Sequence, residues 1–376
     1  MVAPSSGILF LPTPHFQLCG GKGSVSTKPN HGRLTGAMAA NSRPNLRQIA
    51  TELGLSVTTV SRALKDGPEV HPDTIKRVKA VANAAGYVPN FHGRALRTGL
   101  THALTAILPM ETRDYLSDIA KLPLIEGLTL AAREHGYSLS IYSTTPEEDP
   151  QENLTRLIHA GGVDGIVITR MVSEDPRIPF LLDRSIPFIA FGRSGSDLDY
   201  AFVDVDNEGI AFQAATMLFD RGCRRIALQL LTREDQYSTL RLAGYAKAMT
   251  GAGLSVDPQL IGHEDFTMEA SERWVTRLLD LPEPPAGLIC ANELGLLGAL
   301  SAARRKGLTV GRDFHIVVRD NTHMCRYLST PLIAHTVDMV AVGRSLVEGL
   351  VRQIERPGSP HLQLVVHGKV ELISNA

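Results

Sequence analysis

The 376-residue chain has little cysteine and no long apolar run. Its four cysteines, Cys19, Cys223, Cys290 and Cys325, stand far apart and form no CxxC or Cys/His metal spacing. Sparse, isolated thiols of this kind belong to a reducing compartment, which excludes a disulfide framework and a zinc module. No stretch approaches the roughly 20 apolar residues of a membrane span. The early apolar run at 7–11 is too short for the core of a secretory signal, and no basic residue precedes it. Walker A, GxSxG and HExxH spacings are also missing, and Gly20-Gly-Lys-Gly is a lone glycine cluster. The expectation is a cytoplasmic, soluble, non-enzymatic protein with no cofactor and no metal.

What is present is charge, unevenly placed. The length predicts two or three domains. The formal net charge of −1 argues, taken alone, against a nucleic-acid partner. Residues 43–100 nevertheless hold nine Lys/Arg against four Asp/Glu, a net of +5. Residues 1–42 carry three Lys/Arg and no acid, whereas 101–376 carry 26 Lys/Arg against 35 Asp/Glu, a net of −9. A small basic module and a large acidic one are expected. Residues 1–42, rich in Gly, Pro and Ser without periodicity, read as a disordered leader. Translation from Met38 would leave most of this leader out; a genuine flexible basic arm is the alternative.

The basic module has helical punctuation. Asn45 with Gln48 makes a capping box, and Leu46, Ile49, Ala50 and Leu53 recur at helical spacing. Gly54 ends that helix and Ser56 caps the next, over 57–64, with Val60 and Leu64 on its inner face. Two short helices joined by a Gly-containing turn make a helix-turn-helix. The second presents Val57, Thr58, Thr59, Ser61 and Arg62, with no acid between Glu52 and Asp66, which suits a groove lined by base edges and phosphates. A third helix starts at His71, Pro72 and Asp73, and its stripe of Ile75, Val78, Val81, Ala82 and Ala85 supports the module's core until Gly86.

Leu46-Arg-Gln-Ile-Ala-Thr-Glu-Leu-Gly-Leu-Ser-Val-Thr-Thr-Val-Ser-Arg-Ala-Leu resembles the DNA-binding signature of the lactose-repressor/galactose-repressor (LacI/GalR) family. Gly86-Tyr87-Val88-Pro89-Asn90 and Arg94-Ala95-Leu96-Arg97 resemble that family's hinge. The resemblance covers all but the leader. It implies base reading by Val57, Thr58 and Arg62, the last suited to a guanine edge. It implies phosphate contacts for Asn45, Ser56, Thr59, Ser61, Tyr87 and Asn90. Leu96 would wedge into the minor groove at a central base step. Lys65 stands where the family often has Asn and still offers a phosphate contact. Gly93 stands where alanine is common, which weakens the hinge helix by about 1 kcal/mol.

Beyond residue 101, apolar runs at 103–108, 139–142, 165–168, 188–191, 225–230, 287–290 and 315–318 alternate with amphipathic stretches at 124–135, 151–160, 207–221, 239–252 and 294–306. Strand–helix alternation predicts parallel sheets covered by helices, in two similar halves. The resemblance adds a periplasmic-binding-protein-like core of two Rossmann-like subdomains. They are expected at about 101–202 plus 337–358 and about 203–336 plus 359–376, with an effector cleft between them. The family's tetramerising C-terminal helix has no counterpart, so a homodimer is expected.

Cleft candidates lie in loops after strands. The resemblance matches Phe266 to an aromatic that stacks on a sugar or base, and Arg241 to a cleft arginine. It matches Asn292 and Asp320 to polar ligand contacts. Tyr115, Arg193, Asp204 and Asp206 are further candidates. Competing readings are core packing for Phe266, an inter-helix salt bridge for Arg241 and a helix cap at Asp206 or Asn207. Glu293 and Arg319 depart from the family pattern; Arg319 either favours an anionic ligand or pairs with Glu293. The function expected is that of a sequence-specific DNA-binding regulator, a repressor, whose operator affinity responds to a sugar or sugar derivative. The alternatives are a sugar-binding protein without a DNA role and a regulator sensing a purine or phosphorylated metabolite.

Overall fold

The computed structural model describes residues 44–87, 99–109, 121–145, 148–231, 233, 235–263 and 267–373. The expectations for the leader, Met38, Asn90, Gly93, Leu96, Tyr115 and Phe266 lie outside these residues. The chain divides after Pro89 into two compact units.

The first unit is a three-helix module: α1 (Leu46–Leu53), α2 (Val57–Ala63) and α3 (Pro72–Ala84). Asn45 and Gln48 close the expected capping box. Gly54, at φ 66°, takes the left-handed conformation that a side chain resists, and lets the Leu55 amide return to the Ala50 carbonyl. Ile49, Ala50, Val60, Ala63, Val78 and Ala82 form the buried core. Ala85, expected on the inner stripe, is instead the exposed cap of α3, one residue beyond its last helical turn.

The second unit holds two six-stranded sheets. The first has the order β11 (Gln363–Val366), β5 (Phe202–Val205), β4 (Phe188–Phe191), β3 (Gly165–Ile168), β1 (Ala103–Pro109), β2 (Ser138–Thr144), with all neighbours parallel. The second has the order β12 (Lys369–Ile373), β10 (Leu332–Thr336), β9 (His315–Arg319), β8 (Gly287–Cys290), β6 (Ile226–Leu230), β7 (Ile261–His263). Only β12 runs antiparallel, against β10.

Helices α4 (Leu122–Glu134), α5 (Pro150–Ala160), α6 (Arg177–Asp183) and α11 (Met339–Glu355) accompany the first sheet. Helices α7 (Asn207–Phe219), α8 (Gln236–Gly251), α9 (Met268–Leu279) and α10 (Glu293–Arg305) accompany the second. Three helix pairs touch backbone to backbone. A Cβ on Gly127 would sit 2.1 Å from the Val340 carbonyl oxygen, on Gly244 2.0 Å from that of Glu208, and on Gly298 2.5 Å from that of Met268. Glycine is the residue that admits such approach. Among the described residues no helix is long and apolar enough to cross a membrane.

Two expected boundaries shift. The strand at 202–205 belongs to the first sheet, although the division had been expected at 202/203. The tail is not one strand of the second lobe: 363–366 extends the first sheet and 369–373 the second. Gly368 separates them, packed so tightly on His335 that a Cβ would overlap its ring. The chain therefore changes lobe after β5, after β10 and again between β11 and β12.

Candidate functional site

On the helical module, Ser56 caps α2 by accepting from the Thr59 amide at 3.0 Å, and its hydroxyl lies 2.8 Å from that of Thr59. Asn45 is likewise committed, its Oδ1 accepting from the Gln48 amide at 3.0 Å. These residues define the ends of helices as well as presenting polar groups outward. Val57 is 41% exposed, a β-branched apolar side chain on the outer face of a helix whose inner face is Val60 and Ala63. Thr58 and Lys65 are exposed, and Ser61 is half-buried. Arg62 pairs with Glu69, Nε to Oε1 at 3.2 Å, with both side chains about half exposed. Tyr87 packs against the module's core while its amide bonds the Ala82 carbonyl at 2.8 Å.

In the α/β unit a cavity of about 220 Å³ opens between the lobes, at the C-terminal ends of the parallel strands. From the first lobe it is lined by residues at the ends of β1, β3, β4 and β5 and in the loops after them, among them Arg170, Phe191, Arg193 and Asp204. The second lobe contributes Tyr237 from α8, Asn292 and Glu293 after β8, Arg319 at the end of β9 and Asn321 just beyond it. Arg193 and Asp204 form an ion pair at 2.7 Å, with Asp204 buried. Burial raises the Asp204 pKa, against the lowering effect of Arg193.

The mouth is tied across. Arg170, at φ 55°, turns its guanidinium to Asp235 of the second lobe, Nε to Oδ1 at 3.1 Å. The Gln236 amide donates to the Met171 carbonyl at 2.9 Å, and Val172 and Asp235 form an isolated antiparallel bridge.

Of the expected cleft residues, Arg193, Asp204 and Asn292 line this cavity. Asn292 also caps α10, accepting from the Gly295 amide. Asp206 does not line it: it caps α7 through the Gly209 amide and meets His367 Nδ1 at 3.0 Å. Asp320 turns into its own loop, where its oxygens accept from the Met324 and Cys325 amides and the Thr322 hydroxyl. Arg241 sits behind the cavity floor, fully buried. It donates to Asn207 Oδ1 at 3.2 Å and to the Ala291 carbonyl at 3.1 Å, and it is no inter-helix salt bridge. Burial and then the charge of Arg319 bring the Arg241 pKa down to about 10. Arg319 and Glu293 do not pair directly. Arg319 donates to Asn321 Oδ1, and Glu293 accepts from the Asn321 and Thr322 amides. Lining residues the sequence reading missed include Arg170, Phe191, Tyr237 and Asn321. Tyr237 had a usable signal: it lies one helical turn before Arg241, and their side chains meet, with the guanidinium carbon 5.6 Å from the ring centre.

A three-helix module built on a helix-turn-helix and a two-lobed cleft therefore occur in one chain. Residues 45–90 match the bacterial regulatory proteins of the lacI family, and residues 215–371 match the periplasmic binding protein-like domain. The chain is 35% identical to the HTH-type transcriptional regulator AglR of Rhizobium meliloti over 318 residues, 84% of this chain and 89% of that one. It belongs to the lacI family. It is 30% identical to the HTH-type transcriptional repressor CytR of Escherichia coli K12, covering 82% of this chain and 89% of that one. The solved complex of the transcriptional regulator CelR with cellobiose matches with a TM-score of 0.67 at 25% identity. That match covers 89% of this chain and all of CelR. This lacI-family protein is thus a DNA-binding transcriptional regulator, and its relatives are regulators, not enzymes.

Proposed function

We propose that this regulator is a cytoplasmic, homodimeric repressor. In this reading residues 43–98 read operator DNA, and 101–376 bind a sugar that changes operator affinity. The carrying observation is the outward face of α2, where Val57, Thr58 and Arg62 stand exposed while Val60 and Ala63 hold the helix to its core. Val57, Thr58 and Arg62 read bases; Asn45, Ser56, Thr59, Ser61, Lys65, Tyr87 and Asn90 hold phosphates; Leu96 wedges into the minor groove. Two such helices on one near-palindromic site require a dimer. The exposed apolar side chains of Leu122, Leu130 and Ile141 on α4 and β2 suit self-association.

The sugar reading rests on the cleft. Phe191 and Tyr237 offer aromatic rings, and Arg193, Asp204, Asn292 and Asn321 offer hydroxyl partners. CelR, with a similar fold, was solved with cellobiose. Phe266 and Tyr115 join this set as proposed contacts. Arg241 and Asp320 act by shaping the floor, and Asp206 by capping α7 at a lobe crossing. Ligand binding acts through lobe closure and the hinge, a coupling of about 1–3 kcal/mol between sites. Selection of bound fragments from a genomic library, followed by titration of the bound operator with a sugar panel, tests both parts. A protein that retains no fragment loses the operator reading; an operator affinity unmoved by every sugar removes the sensor reading.

A further inference from the structure

The buried and half-buried arginines around the cleft are not alike. Arg177 is held by Asp175, Arg193 by Asp204 and Arg170 by Asp235. Arg241 and Arg319, at and just behind the cleft floor, have only neutral acceptors. The acidic groups whose charge reaches Arg319 hydrogen-bond elsewhere, Asp204 to Arg193 and Glu293 to the loop after β9. Glu293 accepts two loop amides, and Asp320 accepts two amides and a hydroxyl.

The two guanidiniums, neither of them hydrogen-bonded to a carboxylate, repel each other, while Arg319 also feels the attraction of Glu293 and Asp204. A ligand anion seated against Arg319 would make the direct charge pair that neither guanidinium has within the protein. His335 cannot help: it is buried, and burial and then the charges of both arginines push its pKa down to about 4. Arg319 is the one of the two that lines the cavity. Beyond its bond to Asn321 Oδ1 it makes only a long contact from Nη2 to Met339 Sδ.

Resting on the reading of the cleft as a sugar site, we propose that the effector is an acidic sugar. Its carboxylate or phosphate is bound by Arg319, backed by Arg241, while its hydroxyls meet Asp204, Asn292 and Asn207. Arg319 thereby sets the class of ligand, as a planar fork suited to either anion.

The test is calorimetric titration of the full chain with neutral hexoses and disaccharides, including glucose and cellobiose, beside the matching uronates and 6-phosphates. The acidic members are expected to bind at least tenfold more tightly than their neutral parents. The uronate and phosphate arms tell which anion is preferred. Arg319→Gln is expected to erase that preference, and Arg319→Lys to keep part of it. Neutral sugars binding as tightly as acidic ones would overturn the proposal and leave the sugar reading standing. Failure of the whole panel would overturn both. Ligand-free melting gives an independent readout. Arg319→Gln removes the repulsion of Arg241 together with the attraction to Glu293 and Asp204, so Tm should change little, whereas a fall of several degrees would make Arg319 a structural tie and overturn the assignment.

Discussion

The helical module keeps its charges outside; the α/β unit takes many of its charges in. In the module, Arg62–Glu69 and Lys79–Asp66 are exposed or half-exposed pairs around a small apolar core. In the α/β unit, Arg177–Asp175 is buried, Asp204 is buried against Arg193, and Arg241 is buried without any acid. Exposed pairs are screened by salt and worth little, so phosphate can displace them at small cost. Buried charges are fixed in place and strongly coupled to whatever enters beside them. The first arrangement suits a polyanion met at the surface, and the second suits discrimination inside a cavity.

Breaking the Arg177–Asp175 pair should have the largest effect. Arg177 donates to both Asp175 oxygens and to the Thr169 and Arg170 carbonyls. Arg177→Ala orphans a buried carboxylate beside the cleft and is expected to cost about 3–5 kcal/mol of stability. Denaturant unfolding at low and high salt checks it, and the loss should persist at high salt.

The next effect is a pH dependence. Burial lowers the His335 pKa from 6.5 to about 4, the charges of Arg319 and Arg241 push the same way, and Asp206 opposes them. The unfolded chain binds a proton in that window that the folded chain refuses, so His335 makes stability fall as pH drops from about 6.5 to about 4. Across the window, wild type should lose ~2–3 kcal/mol more than His335→Gln. Burial raises the pKa of both Glu293 and Asp204, which acts in the opposite direction, so the difference between the two proteins isolates the histidine.

Smaller effects belong to the module. Arg62→Ala is expected to weaken operator binding by about 1–3 kcal/mol and relax one base preference. Its stability should barely change, because the pair with Glu69 is exposed. Equal losses in binding to every sequence would remove the base-reading role. Lys79→Ala should change stability by less than about 1 kcal/mol, and that change should vanish at high salt. A salt-resistant loss would mean that the module, like the α/β unit, relies on charge for its fold.

The helical module was almost wholly legible, because its signals are local. The capping box at Asn45, the left-handed Gly54 and the cap at Ser56 each act within a few residues. Strand cores such as 165–168, 188–191 and 287–290 were legible for a similar reason, since strands buried on both faces read as unbroken apolar runs. The cleft was legible only in part. Arg193 and Asn292 follow apolar runs, Asp204 stands near the expected first lobe crossing, and all three line the cleft. Asp320 is one residue from Asn321, yet its carboxylate serves its own loop while Asn321 faces the cavity.

The sequence by itself determined two charge-segregated modules, three capped helices, the parallel strands and the family, because each rests on short-range patterns that survive without neighbours. Only the tertiary structure decided that β5 and β11 complete the first sheet, that Arg170 reaches across to Asp235, and that neither Arg241 nor Arg319 hydrogen-bonds a carboxylate. Those outcomes depend on which distant segments are brought within a few ångströms, and on how burial then redistributes every charge among the acceptors it finds there.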